Sequence, residues 1–372
     1  MDFALSEEQE MFRGYVRKYL DGAGQTKIAR EFAKGNTDGF QAIWTGLADL
    51  GCTGITIPEA NGGLGLGALD LVPVLEEMGQ VLLPGSYLET VAFAVPLLEK
   101  YGTEAQKEKY LTEIAAGSRS MTLAWLEPQK GYNPEEISCS ARVEGDSLVV
   151  DGVKVLVPGG EQADSYVVLV RTDEGLSLVI MDRTNDIEVN AQRCIDETLG
   201  LSELTFRQVH ILQSQILGPV NQGWSVLQEG LLSLNAALTS VIVGGMEKVI
   251  DMSVEYVKIR EQFGQPIGRF QALKHRIADM KMELETTRSL SHYANWALES
   301  GEADCEAAIY SARTFATEAY INVASHNIQN HGGIGFTEEI DCHLFLKRAR
   351  FYESYLGSSQ HYKEQAALAL AW

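Results

Sequence analysis

The stretch Tyr256-Val-Lys-Ile-Arg-Glu-Gln-Phe-Gly-Gln-Pro-Ile267 separates two long runs of helical periodicity and decides how the C-terminal part of the chain folds. On both sides of it, mostly apolar residues recur at intervals of three and four, the spacing of one helix face. They are Val243, Met246, Ile250, Val254 and Val257 before the stretch, and Leu273, Ile277, Met280, Leu284 and Thr287 after it. The sequence therefore predicts two long helices joined as a bundle hairpin. A third long helix is predicted from about Ala303 to Ile328, and a fourth after Glu338.

The segment before this hairpin has a different pattern. Short β-branched runs follow one another from about Met121 to Leu212, separated by polar turns, which is typical of strands. Two of the runs flank Asp151-Gly152, a dipeptide that favours a two-residue hairpin turn. From Phe3 to about Gly117 the pattern is helical, and Ser6 begins a capping box.

These patterns predict an α+β fold that is mainly α. The predicted N-terminal α-helical domain covers residues 1–120, and a small central β-barrel or β-sandwich domain covers 121–217. A C-terminal four-helix bundle domain is predicted over residues 218–372.

Composition restricts the class of partner. The net charge of −21 argues against nucleic acid and against nonspecific binding to anionic membranes. An anionic ligand would need local positive groups to overcome this overall field. The five cysteines are scattered and never in C-x-x-C spacing, so we expect reduced, buried thiols and no metal framework. No stretch approaches about 18–20 uninterrupted apolar residues, and the N-terminal MDFALSEEQE is acidic and polar, so we expect no membrane helix, no secretory signal and a cytoplasmic protein.

The strongest chemical motif is Gln329-x-x-Gly332-Gly333-x-Gly335, between two predicted helices. Positions without a side chain let backbone N–H groups approach a phosphate closely, and the N-terminus of the next helix favours negative charge. The alternative interpretation is a glycine-rich helix C-cap.

Three strings in this order resemble signatures of the acyl-CoA dehydrogenase family: Ile57–Gly67, Tyr256–Ile267 and Gln329–Glu339. The resemblance spans essentially the whole chain and implies the fold described above, with FAD as cofactor. In the family, the last string reaches across a dimer interface to the FAD of the neighbouring subunit, and Arg260 and Phe263 of the middle string match the family's contacts to the ADP part of FAD. The residues to which this resemblance assigns FAD contacts are Arg260, Gln262, Phe263, Gln271, Gln329, Asn330, His331, Gly332 and Gly333.

The sequence departs from the family where the reaction takes place. Dehydrogenation requires a base that removes the proton α to a thioester. Most members carry that glutamate in a Tyr-Glu-Gly-Thr-x-Gln segment, where this chain has Leu356. In other members the base lies on an earlier helix, at the position of Leu234, and the acyl-CoA-binding arginine beside it is Asn235 here. Glu353 is an alternative base, although its spacing places it on another part of the helix surface. We therefore assign no catalytic residue to this chain.

The flavin-contacting stretches also depart from the family. The stretch Leu126–Asn133 replaces Thr-Glu-Pro-x-Ala-Gly-Ser-Asp, and Leu156–Gly159 replaces aromatic-Ile-Thr/Ser-Asn. Pro158 has neither the hydroxyl nor the amide N–H of the residue it replaces. The losses fall on one side of the family's site, and the retained residues on the other.

In this division between lost and retained residues, the chain resembles the non-catalytic-type subunit of α2β2 acyl-CoA dehydrogenases, which are encoded by two genes and act on steroid side chains. The resemblance implies a homologous partner that carries the catalytic glutamate and the acyl-CoA, and an electron-transfer flavoprotein as electron acceptor. Two other functions stay open. The chain could be a homomeric flavin-dependent monooxygenase on the same fold, or a structural pseudoenzyme.

Overall fold

The computed structural model describes residues 5–371, which form two compact units. Of the described residues, one unit, the helical unit, comprises 5–29, 68–83 and 235–371. The other, the mixed unit, comprises Arg30–Gly67 and Pro84–Leu234. The helices are α1 Glu7–Ala23, α2 Lys27–Ala33, α3 Asp38–Asp49, α4 Ala68–Gln80, α5 Tyr87–Glu89, α6 Val95–Tyr101, α7 Glu104–Gln106, α8 Thr112–Ala115, α9 Gly223–Ile259, α10 Gln271–Ser300, α11 Cys305–His331, α12 Cys342–Tyr352 and α13 Ser359–Ala369.

The strands of the mixed unit form one eight-stranded sheet with the order β6-β7-β3-β2-β4-β5-β8, and β1 pairs in parallel with β4. They are β1 Met121–Ala124, β2 Ser140–Glu144, β3 Ser147–Pro158, β4 Ser165–Arg171, β5 Leu176–Asp182, β6 Ile187–Gln192, β7 Leu201–Leu212 and β8 Ile216–Leu217. Buried side chains such as Val150, Tyr166 and Phe206 form the core of this sheet.

The prediction of a hairpin turn at Asp151-Gly152 is wrong. Strand β3 continues through both residues and pairs with β7 from Ser147 opposite Leu212 to Pro158 opposite Leu201, with a register shift between Val150 and Gly152. Asp151 accepts a 2.9 Å hydrogen bond from the amide of Gln208, which stabilises this bulge. The turn between β2 and β3 lies instead at residues 145–146, because Glu144 pairs with Ser147.

Helices α4 and α9 pack backbone to backbone in the helical unit. A Cβ atom on Gly79 would lie 2.0 Å from the carbonyl oxygen of Val241, and one on Gly244 would lie 1.8 Å from that of Glu76. Only glycine allows so close an approach. By length and composition alone α9 could cross a membrane, but 72% of its most apolar window is buried within the protein.

Buried charges connect four helices of this unit. The carboxylate of Glu76 on α4 lies 3.2 Å from Arg13 of α1 and 2.6 Å from Arg288 of α10. Both arginines also contact Glu247 of α9, at 3.0 and 3.3 Å. The charges therefore compensate one another inside the unit, as buried ions require.

The predicted long helices are present, and α9 and α10 are joined by a small hairpin of strands β9 Glu261–Gln262 and β10 Gln265–Pro266. Ser6 caps α1 with Gln9 in a complete capping box, as predicted. All five cysteines are free thiols, but Cys194 and Cys305 are only half-buried, which corrects the prediction that all are buried.

Candidate functional site

The β9–β10 hairpin presents three of the predicted FAD residues to solvent. The carbonyl of Arg260 accepts a 2.8 Å hydrogen bond from the Ile267 N–H, which closes the hairpin at its base. Phe263 has a φ of +54° and is 91% exposed, with its ring edge-on to Phe270 at a centroid distance of 6.0 Å. The exposed ring, held in this left-handed backbone conformation, is available for an external contact.

The end of α11 supplies the second predicted segment. Gln329 is exposed, and Gly332 has φ 65° and ψ −140°, a conformation open essentially to glycine alone. A Cβ atom on Gly333 would meet no other heavy atom within 4 Å. Packing within the described chain therefore does not require glycine at 333, whereas close approach of an external group to the backbone would.

A buried polar cluster holds these two segments at the same end of the helical unit. The rings of Tyr256 and His331 stack at a centroid distance of 4.3 Å, one turn before Arg260 and directly before Gly332. Asn330 accepts a 2.9 Å bond from Arg276 and donates a 3.2 Å bond to Ser253. The sequence analysis missed this role of Tyr256 and Arg276.

The side chains of Asn330 and His331 thus point inward. The Nδ1–H of His331 donates to the carbonyl of Asn327 at 2.8 Å, and burial lowers the pKa of its imidazole. Both side chains are buried and bonded within the unit, whereas the seven other residues predicted to contact FAD are at the surface. Those seven are exposed: Arg260, Gln262, Phe263, Gln271, Gln329, Gly332 and Gly333.

The exposed residues fit the ADP part of FAD by their chemistry. Within residues 5–371, the guanidinium of Arg260 has no hydrogen-bond or ion-pair partner, so all of its donors are available to a phosphate. Phe263 offers an apolar ring face to a base, and Gly332 and Gly333 offer bare backbone. These assignments remain predictions, since they concern a group outside this chain.

The position that the resemblance gives to a catalytic glutamate is buried and apolar. Leu356 is 4% exposed and has a φ of +65°. Leu234, at the other such position, is 0% exposed. Glu353 is 46% exposed at its side chain and pairs with Arg350 at 3.0 Å, so its carboxylate is at the surface.

The turn that carries Leu356 is fixed by Arg313, a buried cation that the sequence analysis missed. Its Nη2 donates to the carbonyls of Tyr352 and Tyr355 at 2.6 and 3.1 Å, and its Nε donates to Asn235 at 3.0 Å. Burial lowers the pKa of Arg313, while the carbonyls at the end of α12 stabilise its charge. The sequence does contain a signal for this buried cation: Arg313 is a single arginine among small apolar residues on one face of the predicted third helix.

In the mixed unit, the stretches that replace the family's flavin contacts use their polar groups internally. The carbonyl of Pro158 accepts a 2.7 Å bond from Thr122, and the N–H of Leu156 donates a 2.7 Å bond to Gln192. Glu127 forms a buried ion pair with Lys154 at 2.7 Å. Burial alone would raise the pKa of Glu127, but the charge of Lys154 and the hydrogen bonds from Lys154, Ser138 and the Cys139 N–H together outweigh it and lower that pKa.

Three family domain models match successive parts of the chain. They are described as the acyl-CoA dehydrogenase N-terminal domain over residues 6–118, the middle domain over 122–213 and the C-terminal domain over 221–370. The mitochondrial isovaleryl-CoA dehydrogenase of Pongo abelii is 31% identical over 374 residues, which cover 96% of this chain and 87% of the relative.

Two solved structures are similar over the whole chain. One is reported with the electron transferring flavoprotein of Acidaminococcus fermentans, at 26% identity, a TM-score of 0.91 and 100% and 99% coverage of the two chains. The other is a chain of the ChsE4-ChsE5 complex from Mycobacterium tuberculosis, at 26% identity, a TM-score of 0.89 and the same coverage. The predicted α+β fold, with helical, β and helical parts in that order, is confirmed. The chain therefore belongs to the acyl-CoA dehydrogenase family, with FAD as its cofactor.

Proposed function

We propose that this chain is the non-catalytic-type subunit of a heteromeric, α2β2 acyl-CoA dehydrogenase. The reaction is the α,β-dehydrogenation of an acyl-CoA thioester, for which FAD, when bound, supplies the hydride acceptor. The homologous partner subunit would hold the acyl-CoA and the glutamate that removes the α proton. This chain would complete the partner's FAD site from the helical unit.

The observation that carries the proposal is the contrast between two sets of residues. Arg260, Phe263 and Gly333 are exposed, the guanidinium of Arg260 has no partner within the described chain, and a Cβ atom on Gly333 would meet nothing within 4 Å. Leu356, at the position expected to abstract a proton, is buried and has no ionisable group. A homomeric dehydrogenase would need both the FAD-contacting residues and the catalytic base in the same chain.

The chain's own residues would act by binding and orienting. The guanidinium of Arg260 would pair with the pyrophosphate, and the ring of Phe263 would cover the adenine. The backbone at residues 332–333 would accept close approach of the cofactor.

We further propose a bulky acyl group of the steroid side-chain class, because fewer complete sites per tetramer leave more room for each substrate. The similarity to a chain of the ChsE4-ChsE5 complex supports the heteromeric assembly. The electron acceptor would be an electron-transfer flavoprotein, as the family resemblance implies.

The test is the flavin content of the chain alone and of the chain co-expressed with a homologous subunit that carries the catalytic glutamate, sought among the neighbouring genes. We expect the isolated chain to be colourless and inactive on acyl-CoA thioesters, and the co-purified complex to contain FAD and to reduce it with substrate. Near-stoichiometric FAD on the isolated chain would overturn the proposal in favour of a homomeric flavoenzyme. Failure of the two chains to form a flavin-containing complex would favour a structural pseudoenzyme.

A further inference from the structure

A cavity of about 540 Å³ opens in the helical unit between the end of α9 and the start of α10. Its size falls in the range of roughly 300–1,000 Å³ that is usual for small-molecule sites. Its apolar lining comes from both helices and from the connection between them: Val254, Val257, Pro266, Gly268, Ile277 and Ala278. None of these residues has been assigned to the FAD contacts above.

Four cations line the same cavity: Lys258, Arg269, Lys274 and Lys281. All four are exposed, and in a chain with a net charge of −21 they give this cavity a locally positive potential that favours a negative charge. Lys258 and Lys281 are neutralised on their own helices by Glu255 at 2.7 Å and Glu285 at 2.6 Å. Arg269 and Lys274, by contrast, form no ion pair or hydrogen bond through their side chains anywhere in residues 5–371.

The start of α10 adds positive potential beside these two side chains. Phe270 at its N-cap offers no side-chain acceptor, and the first turn of the helix contains no acidic residue. Lys274 itself stands in that turn, where the helix dipole disfavours a cation that lacks a counter-charge. The exposed, unpaired cations and the uncapped helix end thus favour an anion at the same place.

We propose that this cavity binds an amphipathic organic acid, with its carboxylate on Arg269 and Lys274 and its apolar body on Val257 and Ile277. The fork of the arginine can donate two parallel hydrogen bonds to one carboxylate, and the lysine can donate a third. A ligand with several phosphates fits less well, because two of the four cations are already paired and the remaining lining is apolar. This proposal is independent of the heteromeric function proposed above.

The experiment is isothermal titration of the purified chain with three probes: decanoate, 1-decanol and acetate. Decanoate carries both the apolar body and the charge, whereas each of the others carries only one of them. We expect decanoate to bind one per chain, at least about tenfold more tightly than either control, since the charge-assisted and apolar contributions act together. If 1-decanol bound as tightly as decanoate, the cations would have no role in binding.

Variants separate this site from nonspecific binding. The double variant Arg269→Gln/Lys274→Gln should weaken decanoate binding by about tenfold or more. Ala278→Trp should block the cavity without changing any charge, because Ala278 is exposed on α10 and lines the cavity. The matched control Lys18→Gln, an exposed lysine of α1, should change the affinity by less than about twofold. Unchanged binding in both the double variant and Ala278→Trp would overturn the proposal.

A protein partner on the same surface would give a different result. If the co-expressed complex did not bind decanoate, and the double variant no longer formed the complex, the cavity would belong to a subunit interface and the small-molecule site would be refuted. Binding of decanoate to the complex and to the isolated chain with similar affinity supports the proposal, whatever the outcome of the flavin measurement.

Discussion

Two arginines of the helical unit lie in opposite environments. Arg260 is exposed with an unused guanidinium, while Arg313 is 0% exposed and donates to three oxygens from the protein as well as to Thr317. The first is available to a ligand and the second stabilises a turn. Their substitutions should therefore change different measured quantities.

Arg260→Ala in the co-purified complex should lower FAD occupancy without unfolding either chain. A charge-assisted contact to a phosphate in a shielded interface is worth about 1.5–3 kcal/mol, or roughly ten- to a hundredfold in affinity. FAD content and turnover should recover when FAD is added in excess. Arg207→Ala, which removes an arginine that is 75% exposed and paired with Glu188, is the control and should change neither quantity. Full FAD occupancy in Arg260→Ala would refute the assigned contact.

Arg313→Met should destabilise the helical unit. The carbonyls of Tyr352 and Tyr355 and the amide oxygen of Asn235 would lose a buried donor, at a total cost of about 2–5 kcal/mol in the free energy of unfolding. Urea denaturation followed by circular dichroism measures this loss. Arg350→Met removes an arginine of α12 that is 46% exposed, and should change stability by less than about 1 kcal/mol. Equal stability of the two variants would show that Arg313 does not hold the turn.

Helix α4 lies against α9 at a distance that depends on two glycines, and this contact offers a test of the packing. Gly244→Ala would place a methyl group 1.8 Å from the carbonyl oxygen of Glu76, so one helix must move. We expect a loss of about 1–3 kcal/mol or more in the free energy of unfolding.

The matched control is Gly14→Ala in α1, where a Cβ atom would meet nothing within 4 Å. The higher helix propensity of alanine should stabilise this variant by up to about 1 kcal/mol. Thermal denaturation of both variants gives the sign of each change. A stabilised Gly244→Ala would mean that the helices are farther apart than described.

The same elements explain how far the sequence could predict the fold. Helices α9 and α10 were predictable because their periodicity is local and the interruption at Gly264 and Pro266 is unambiguous. The continuation of β3 through Asp151 was not predictable, because it depends on pairing with β7, some fifty residues away in the sequence. Local turn propensity favours a hairpin there, and nonlocal pairing overrides it. Burial of His331 and Arg313 also depends on neighbours from distant helices, which periodicity does not specify.

The molecule as a whole carries many negative charges, and part of its stability depends on how the buried ones are compensated. Burial by itself would raise the pKa of Glu76, but the neighbouring His292 and the charges of Arg288 and Arg13 outweigh it and lower that pKa below 4.5. A carboxyl group whose pKa is lower in the folded state stabilises the protein above its unfolded pKa. That contribution is lost as the pH falls through the folded value.

We therefore expect the melting temperature to fall as the pH is lowered below about 4.5, the ordinary value for glutamate. Glu76→Gln should cost about 3–5 kcal/mol at pH 7, because Arg13 and Arg288 lose a buried counter-charge. Its melting temperature should also fall less steeply with acid than that of the wild type. Glu8→Gln, an exposed position on α1, should retain the wild-type dependence. If the melting temperatures of Glu76→Gln and the wild type fell equally steeply with pH, Glu76 would not be the source of the acid dependence.

The exposed rings of Phe263 and Phe336, which are 91% and 78% accessible, have a consequence for the cell. If the proposed assembly holds, copies made in excess of the partner would display these rings together with Ile259, 76% accessible, as a bare apolar surface. Chaperones and proteases act on such surfaces, so surplus copies would be removed or would aggregate. Synthesis of the two chains in equal amounts, as from one messenger RNA, would then limit the loss of unpartnered copies.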